Sequence, residues 1–128
     1  MREILESSRA PAPVGAYPHA RRAGGLLFLS GIGPREPGTN AIPDGFEAQC
    51  HAVFRNVRAV LEDAGARWED LLDVTVFLTH MKRDFASYNR LYAEYFRDAQ
   101  PCRTTVEVLS LPTPIDIELK CIAEVVPR

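Results

Sequence analysis

Excess charge of one sign is missing from this chain. Its 128 residues carry 15 Lys and Arg against 17 Asp and Glu, a formal net charge of −2, which gives no electrostatic reason to expect nucleic acid. A long apolar run is missing too. The longest β-like stretch, Leu26-Leu27-Phe28-Leu29, falls far short of the roughly 20 residues a membrane helix needs. Cysteine is scarce and odd in number (Cys50, Cys102 and Cys121), and Met1-Arg2-Glu3 lacks the apolar run of a signal peptide, so a cytosolic protein is expected, neither secreted nor inserted. Cys50 and His51 are adjacent on a helical pattern and point to different faces. With no further Cys or His at ligand spacing, a metal site is not expected. Gly31-x-Gly33 lacks the Gly-Lys-Ser/Thr of a phosphate loop, and Ser30 lacks the neighbouring base of a serine hydrolase. Neither metal nor organic cofactor is anticipated.

What is present is the composition of a soluble globular domain, 46% hydrophobic and 25% charged. The length suits one core, and the absence of repeats, linkers and low-complexity tracts predicts a single domain over residues 1–128. Ile4-Leu5 suits a short first strand, and prolines 11, 13 and 18 make the segment after it an irregular loop. Leu26 to Ser30 reads as a buried strand paired with Ala20 to Ala23 through Gly24-Gly25. Three prolines between 34 and 43 mark a surface loop. Asp44-Gly45-Phe46-Glu47 has the spacing of an N-cap, and Phe46, Cys50, Val53, Phe54, Val57, Val60 and Leu61 recur at helical spacing up to a stop at Gly65. A strand over 73–79 follows. A second helix then starts near Asp84, with Phe85, Tyr88, Leu91, Tyr92, Tyr95 and Phe96 on one side. The order β-β-α-β-α-β-β predicts an α+β fold, a mixed or antiparallel sheet with both helices on one face.

The last quarter carries the chemistry. Pro101-Cys102-Arg103-Thr104-Thr105-Val106-Glu107-Val108 and Ile115-Asp116-Ile117-Glu118-Leu119-Lys120-Cys121 are β-rich, yet each holds a charge where a strand would ordinarily hold Val or Thr. Alternation puts Arg103 on a face with Thr105 and Glu107, and Glu118 with Lys120 and Ile122. A guanidinium is a rigid fork for a carboxylate, and a strand carboxylate can position or deprotonate a water. The pair points to hydrolysis of a small acid. Read from the residues alone, Arg103 and Glu118 are equally a strand-end and a solvent-facing side chain.

These segments, with Ser30-Gly31 and Gly15-x-Tyr17, occur in the order that resembles the reactive-intermediate deaminase (RidA/YjgF, endoribonuclease L-PSP-like) superfamily over nearly the whole chain. The resemblance implies a chorismate-mutase-like fold, assembly as a homotrimer, and active sites between neighbouring chains. It assigns Arg103 to the substrate carboxylate and Glu118 to the attacking water, and places Tyr17, Gly31 and Asn89 around the pocket. Thr105 stands where some members have cysteine, so a thiol nucleophile is excluded there and a hydroxyl is left to help bind. Lys120, where many members are acidic, is expected to lower the pKa of Glu118. Ribonuclease activity, attached to parts of the family, fits poorly with the acidic balance and the lack of a His-His or His-Glu pair.

Pro18-His19, Arg21-Arg22-Ala23-Gly24, the Arg-Thr-Thr-Val core and Glu118-Leu119-Lys120 resemble the 2-aminomuconate deaminase branch. That substrate has a carboxylate at each end, and His19, Lys120 and the Arg21-Arg22 pair are the candidates for the second. The resemblance thus implies conversion of 2-aminomuconate to 4-oxalocrotonate and ammonia. A general 2-iminoacid deaminase and a ligand-binding trimer that does no chemistry are the alternatives.

Overall fold

The structure, a computed structural model, describes residues 3–127. Six strands form one sheet in the order β1-β2-β3-β6-β4-β5. They are β1 (Glu3–Leu5), β2 (Ala20–Ala23), β3 (Leu26–Leu29), β4 (Leu71–Leu78), β5 (Cys102–Glu107) and β6 (Ile117–Glu124). Only β4 and β5 run parallel, joined by the helix α2 (Met81–Phe96), so the sheet is mixed. The other helix, α1 (Phe46–Asp63), and a one-turn 3-10 helix at Trp68–Asp70 connect β3 to β4. The expected order is therefore found, with a short strand in front of it.

Alternation along β6 divides the molecule into two faces. Ile117, Leu119, Cys121 and Ala123 are buried beneath the helices, while Glu118, Lys120 and Ile122 lie half-buried on the side that carries no helix. Val74, Val76 and Leu78 of β4, and Leu27 and Leu29 of β3, complete the covered face. Cys50, Val53, Phe54, Val57, Val60 and Leu61 from α1 and Tyr88, Leu91 and Phe96 from α2 close over it. Each such side chain contributes about 1.5–3 kcal/mol of burial, which is why both helical stripes end on this face.

The helix ends show where local signals held. At Gly65 (φ +87°) the Ala66 amide reaches back to the Leu61 carbonyl at 2.9 Å, a C-terminal cap that the left-handed glycine permits. At the other end the expected Asp44 cap does not form. Gly45, at φ +91°, takes the N-cap position, and no side chain bonds to the first turn. The second helix begins three residues earlier than expected, because Glu107 Oε1 accepts the Met81 amide at 2.8 Å and closes the first turn from a distant strand. Phe85 does not join the core but sits exposed at the rim of the α2 stripe. A bulge between Leu71 and Asp73 leaves Leu72 outside the ladder and starts β4 before the expected residue 73. Among the described residues no helix is long and apolar enough to cross a membrane.

Candidate functional site

Glu118 sits on the open face, opposite Phe77 of β4. Its carboxylate forms one wall of a small cleft with Tyr17, Gly31, Gly33, Arg35 and the 112–115 loop, about 40 Å³ in water-accessible volume. Backbone bonds fix this arrangement: Ile32 and Leu119 exchange both amides at 2.8 and 2.9 Å, so the segment after β3 is carried alongside β6. The Ser30 hydroxyl donates to the Pro18 carbonyl at 2.7 Å and ties the Tyr17 loop to the same place. Gly31 then permits the close approach. A Cβ built on it would lie 2.7 Å from Glu118 Oε2 and 3.1 Å from Cδ, so any side chain at 31 evicts the carboxylate.

Burial raises the Glu118 pKa above the usual glutamate range, and no cation or donor among the described residues opposes that shift. The expected lowering by Lys120 is thus corrected. The Lys120 ammonium is turned to the Leu29 carbonyl, to which it donates a hydrogen bond, and it does not pair with Glu118. A half-buried carboxylate without a counter-ion is a suitable base for a water bound in the cleft.

Arg103 lies on the other face. It is level with Val74 and Cys121, both buried beneath the helices, and it reaches α2. There Nη1 donates to Asn89 Oδ1 at 2.9 Å, and the guanidinium rests over the rings of Tyr92 and Tyr88, 4.7 and 5.2 Å from their centroids. Thr105, two residues along, shares a 2.8 Å hydrogen bond with the Tyr88 hydroxyl. Tyr88 belongs to the buried stripe of α2 and also forms the floor under the arginine. Arg103, Asn89 and Thr105 therefore form one cluster, and Glu118, Gly31 and Tyr17 another. Because β5 is the edge of the sheet, the Arg103 cluster opens sideways from the molecule.

His19 is buried beside the cleft. It is 5% exposed, and the Ser7 amide donates to Nδ1 at 3.0 Å, so Nε2 carries the proton and donates to the Pro11 carbonyl at 2.7 Å. With both nitrogens engaged by backbone, His19 holds the 7–11 segment in place, and its ring lines a second hollow beside the cleft with Tyr17, Gly31 and Arg35. Glu6 Oε2 is 3.1 Å from Nδ1, so a His-Glu pair does exist, but its ring is buried. Arg22 lies 3.9 Å from Glu3, and neither it nor Arg21 lines the cleft. Arg35, passed over in the sequence as part of a Pro-rich loop, does. The available signal was its position four residues beyond Gly31. The thiols of Cys50 and Cys121 are pushed up to about 12 by burial and supply no nucleophile.

The sequence profile of the family described as "Endoribonuclease L-PSP" matches residues 7–125. A RutC family protein of Pyrococcus horikoshii is 42% identical over 124 residues, 96% of this chain and 98% of that protein. Reactive Intermediate Deaminase A, chloroplastic, of Arabidopsis thaliana is 34% identical over 95% of this chain and 65% of its own longer one. The crystal structure of E. coli TdcF with bound serine superposes with a TM-score of 0.90 at 34% identity, covering 95% of this chain and 98% of that one.

Proposed function

Since the chain belongs to the endoribonuclease L-PSP family, which includes reactive-intermediate deaminases, we propose that it hydrolyses the C–N bond of a carboxylate-bearing enamine or imine at a site completed by a second copy of itself. One observation carries this reading: Arg103 and Glu118 lie on opposite faces of one sheet. A single chain does not present both to one small molecule. An outward arginine on an edge strand and a carboxylate cleft on the open face are different patches, so their contact is heterologous and repeats until a ring closes. The ring proposed has three copies. Support comes from the open face, where Phe28 and Val106 are 37% and 36% exposed, and from Leu109 in the adjoining loop, which is 99% exposed.

In the reaction Arg103 holds the substrate carboxylate by paired charge-assisted hydrogen bonds, which fixes the neighbouring carbon against the cleft. A proton added at carbon, with one lost from nitrogen, converts the enamine to the imine. Glu118 takes a proton from a water as its oxygen bonds to the imine carbon, and the nitrogen, once protonated, leaves as ammonia while the C=O bond forms. One water is consumed and one ammonia released. Imines are already electrophilic, so positioning and one base suffice. The substrate we favour is 2-aminomuconate, yielding 4-oxalocrotonate. Short 2-imino acids are the second reading, favoured by the names of the relatives and by the serine bound in TdcF.

The test mixes two variants. Arg103→Ala and Glu118→Gln chains, each inactive alone in ammonia release from fresh 2-aminomuconate, are co-refolded in equal amounts. If the arginine and glutamate of each site come from neighbouring copies, about a quarter of wild-type activity returns, as random assembly of a closed ring requires. No recovery defeats the shared site. Binding of the substrate without ammonia release by the wild-type protein makes it a ligand-binding protein instead.

A further inference from the structure

Arg35 is a cation without a counter-ion in the cleft that holds Glu118. Its Nη1 donates to Asn40 Oδ1 and its Nη2 to the Ala12 carbonyl, both at 2.8 Å, and both acceptors are neutral. No carboxylate among the described residues pairs with it. Four other arginines contrast with it. Arg9, Arg55, Arg83 and Arg90 each meet an Asp or Glu within 3.0 Å. A guanidinium has five N–H donors, so three remain on Arg35 for something that enters the cleft.

The charge is also held in place from behind. Asn56, fully buried on α1, uses its amide Nδ2 to bond the carbonyls of Gly33 and of Arg35 itself, at 2.9 and 2.8 Å. Arg55, beside it, grips Glu36 with one nitrogen on both carboxylate oxygens, at 3.0 and 2.8 Å. The Asn40 amide closes onto the Glu36 carbonyl at 2.9 Å, which sets the side chain that orients Nη1. A loop pinned at its base and tip therefore presents a fixed guanidinium, and little ordering cost is left for a ligand to meet.

From this geometry we infer that Arg35 binds a second anionic group of the substrate, so that the site selects a dicarboxylate over a monocarboxylate. The inference rests on the deaminase reading for the first carboxylate, which Arg103 of a second copy holds. An anion that enters beside Glu118 is repelled by it, and only a cation in the same cleft offsets that cost. Among the other candidates, both His19 ring nitrogens are engaged by backbone, and Lys120, Arg21 and Arg22 do not line the cleft. One arginine from each copy suits a short chain that carries a carboxylate at each terminus.

Two stable probes of equal length separate the effects: hexa-2,4-dienedioate, and hexa-2,4-dienoate, which lacks one carboxylate. Calorimetry on the full-length assembled protein is expected to show the diacid bound about tenfold or more tighter, the strength of one charge-assisted anchor. Arg35→Gln, which keeps a donor for Ala12, should bring the two affinities to within about twofold, chiefly by weakening the diacid, and Arg35→Lys should keep part of the preference. A preference that survives Arg35→Gln, an equal weakening of both ligands, or no preference in the wild type overturns the inference. Ammonia release by the wild-type protein from a short 2-imino acid is followed in parallel. Diacid preference without ammonia release from any imine supports the anchor and sinks the deaminase reading; ammonia release without diacid preference sinks the anchor alone.

Discussion

The two faces of the sheet treat polar groups differently. On the helix-covered face they have partners: Thr105 with Tyr88, Arg103 with Asn89 and two tyrosine rings, and Gln49 with the Asp116 amide at 2.8 Å beside α1. On the open face the Glu118 carboxylate has none, and Arg35 beside the same cleft has only neutral acceptors. A closed core cannot leave charges in that state, because an uncompensated ion at low dielectric costs several kcal/mol. A face that meets another molecule can. The contrast fits the proposal that binding and proton transfer occur on the open face and that the Arg103 cluster is offered to a neighbouring copy.

The sharpest way to break that contrast is to remove the unpartnered charge. Glu118→Gln should lower turnover by about 10²- to 10⁴-fold, the range for loss of a positioned base. Its effect on stability should be opposite in sign. A carboxyl whose pKa is raised on folding contributes stability that is fully present below the unfolded pKa and is lost as pH rises through the folded one. Thermal melts of the wild type should therefore lose ground to Glu118→Gln between about pH 4 and neutrality. The acid limb of the kcat/KM profile should lie above the usual glutamate range. Equal melting temperatures across that interval, with an acid limb at the ordinary value, would leave Glu118 a solvated surface residue.

Much of this contrast was legible in the chain and part was not. Alternation along 117–123 put Glu118 on one face with Lys120 and Ile122, and the helical stripe of α1 was readable because its buried positions recur from Gln49 to Leu61. What failed was long-range or depended on competing partners. The start of α2 is set by Glu107, 26 residues away, so no local cap signal marks it. Spacing alone suggested that Lys120 would act on Glu118, but a backbone carbonyl of β3 takes the ammonium. The contacts of His19 with Ser7 and Pro11 likewise come from an approach that only the folded loop produces. Arg35 reads as a solvated charge because it stands in a Pro-rich loop. That Arg103 and Glu118 face opposite ways requires the register of β4 with both neighbours, which a sequence does not state.

A gentler way to sharpen the comparison leaves both charges in place and moves one. Gly31→Ala adds a single methyl 2.7 Å from Glu118 Oε2, and the carboxylate must swing aside. Because the glycine is not in the left-handed region, the backbone accepts alanine, and stability should change by less than about 1 kcal/mol. Turnover should fall by about 10²-fold, the usual consequence of displacing a catalytic group by about an ångström. Urea unfolding and ammonia release on the same sample check both halves. A large loss of stability would mean that Gly31 serves the fold rather than the close approach.

The smallest effect is expected on the covered face, where the partner and not the charge is removed. Asn89→Ala takes away the 2.9 Å acceptor of Arg103 Nη1 but leaves the guanidinium over Tyr92 and Tyr88. The arginine stays charged and near its place, so its grip on a carboxylate should loosen through orientation alone, raising KM by about tenfold, worth one hydrogen bond to a charged group. If Arg103 only binds, kcat should stay within about threefold of the wild type, since an interaction made equally in ground and transition states changes KM alone. A fall in kcat that matches the rise in KM would instead place Arg103 at the reacting carbon during C–N cleavage, and the covered face would then share in the chemistry as well as in the binding.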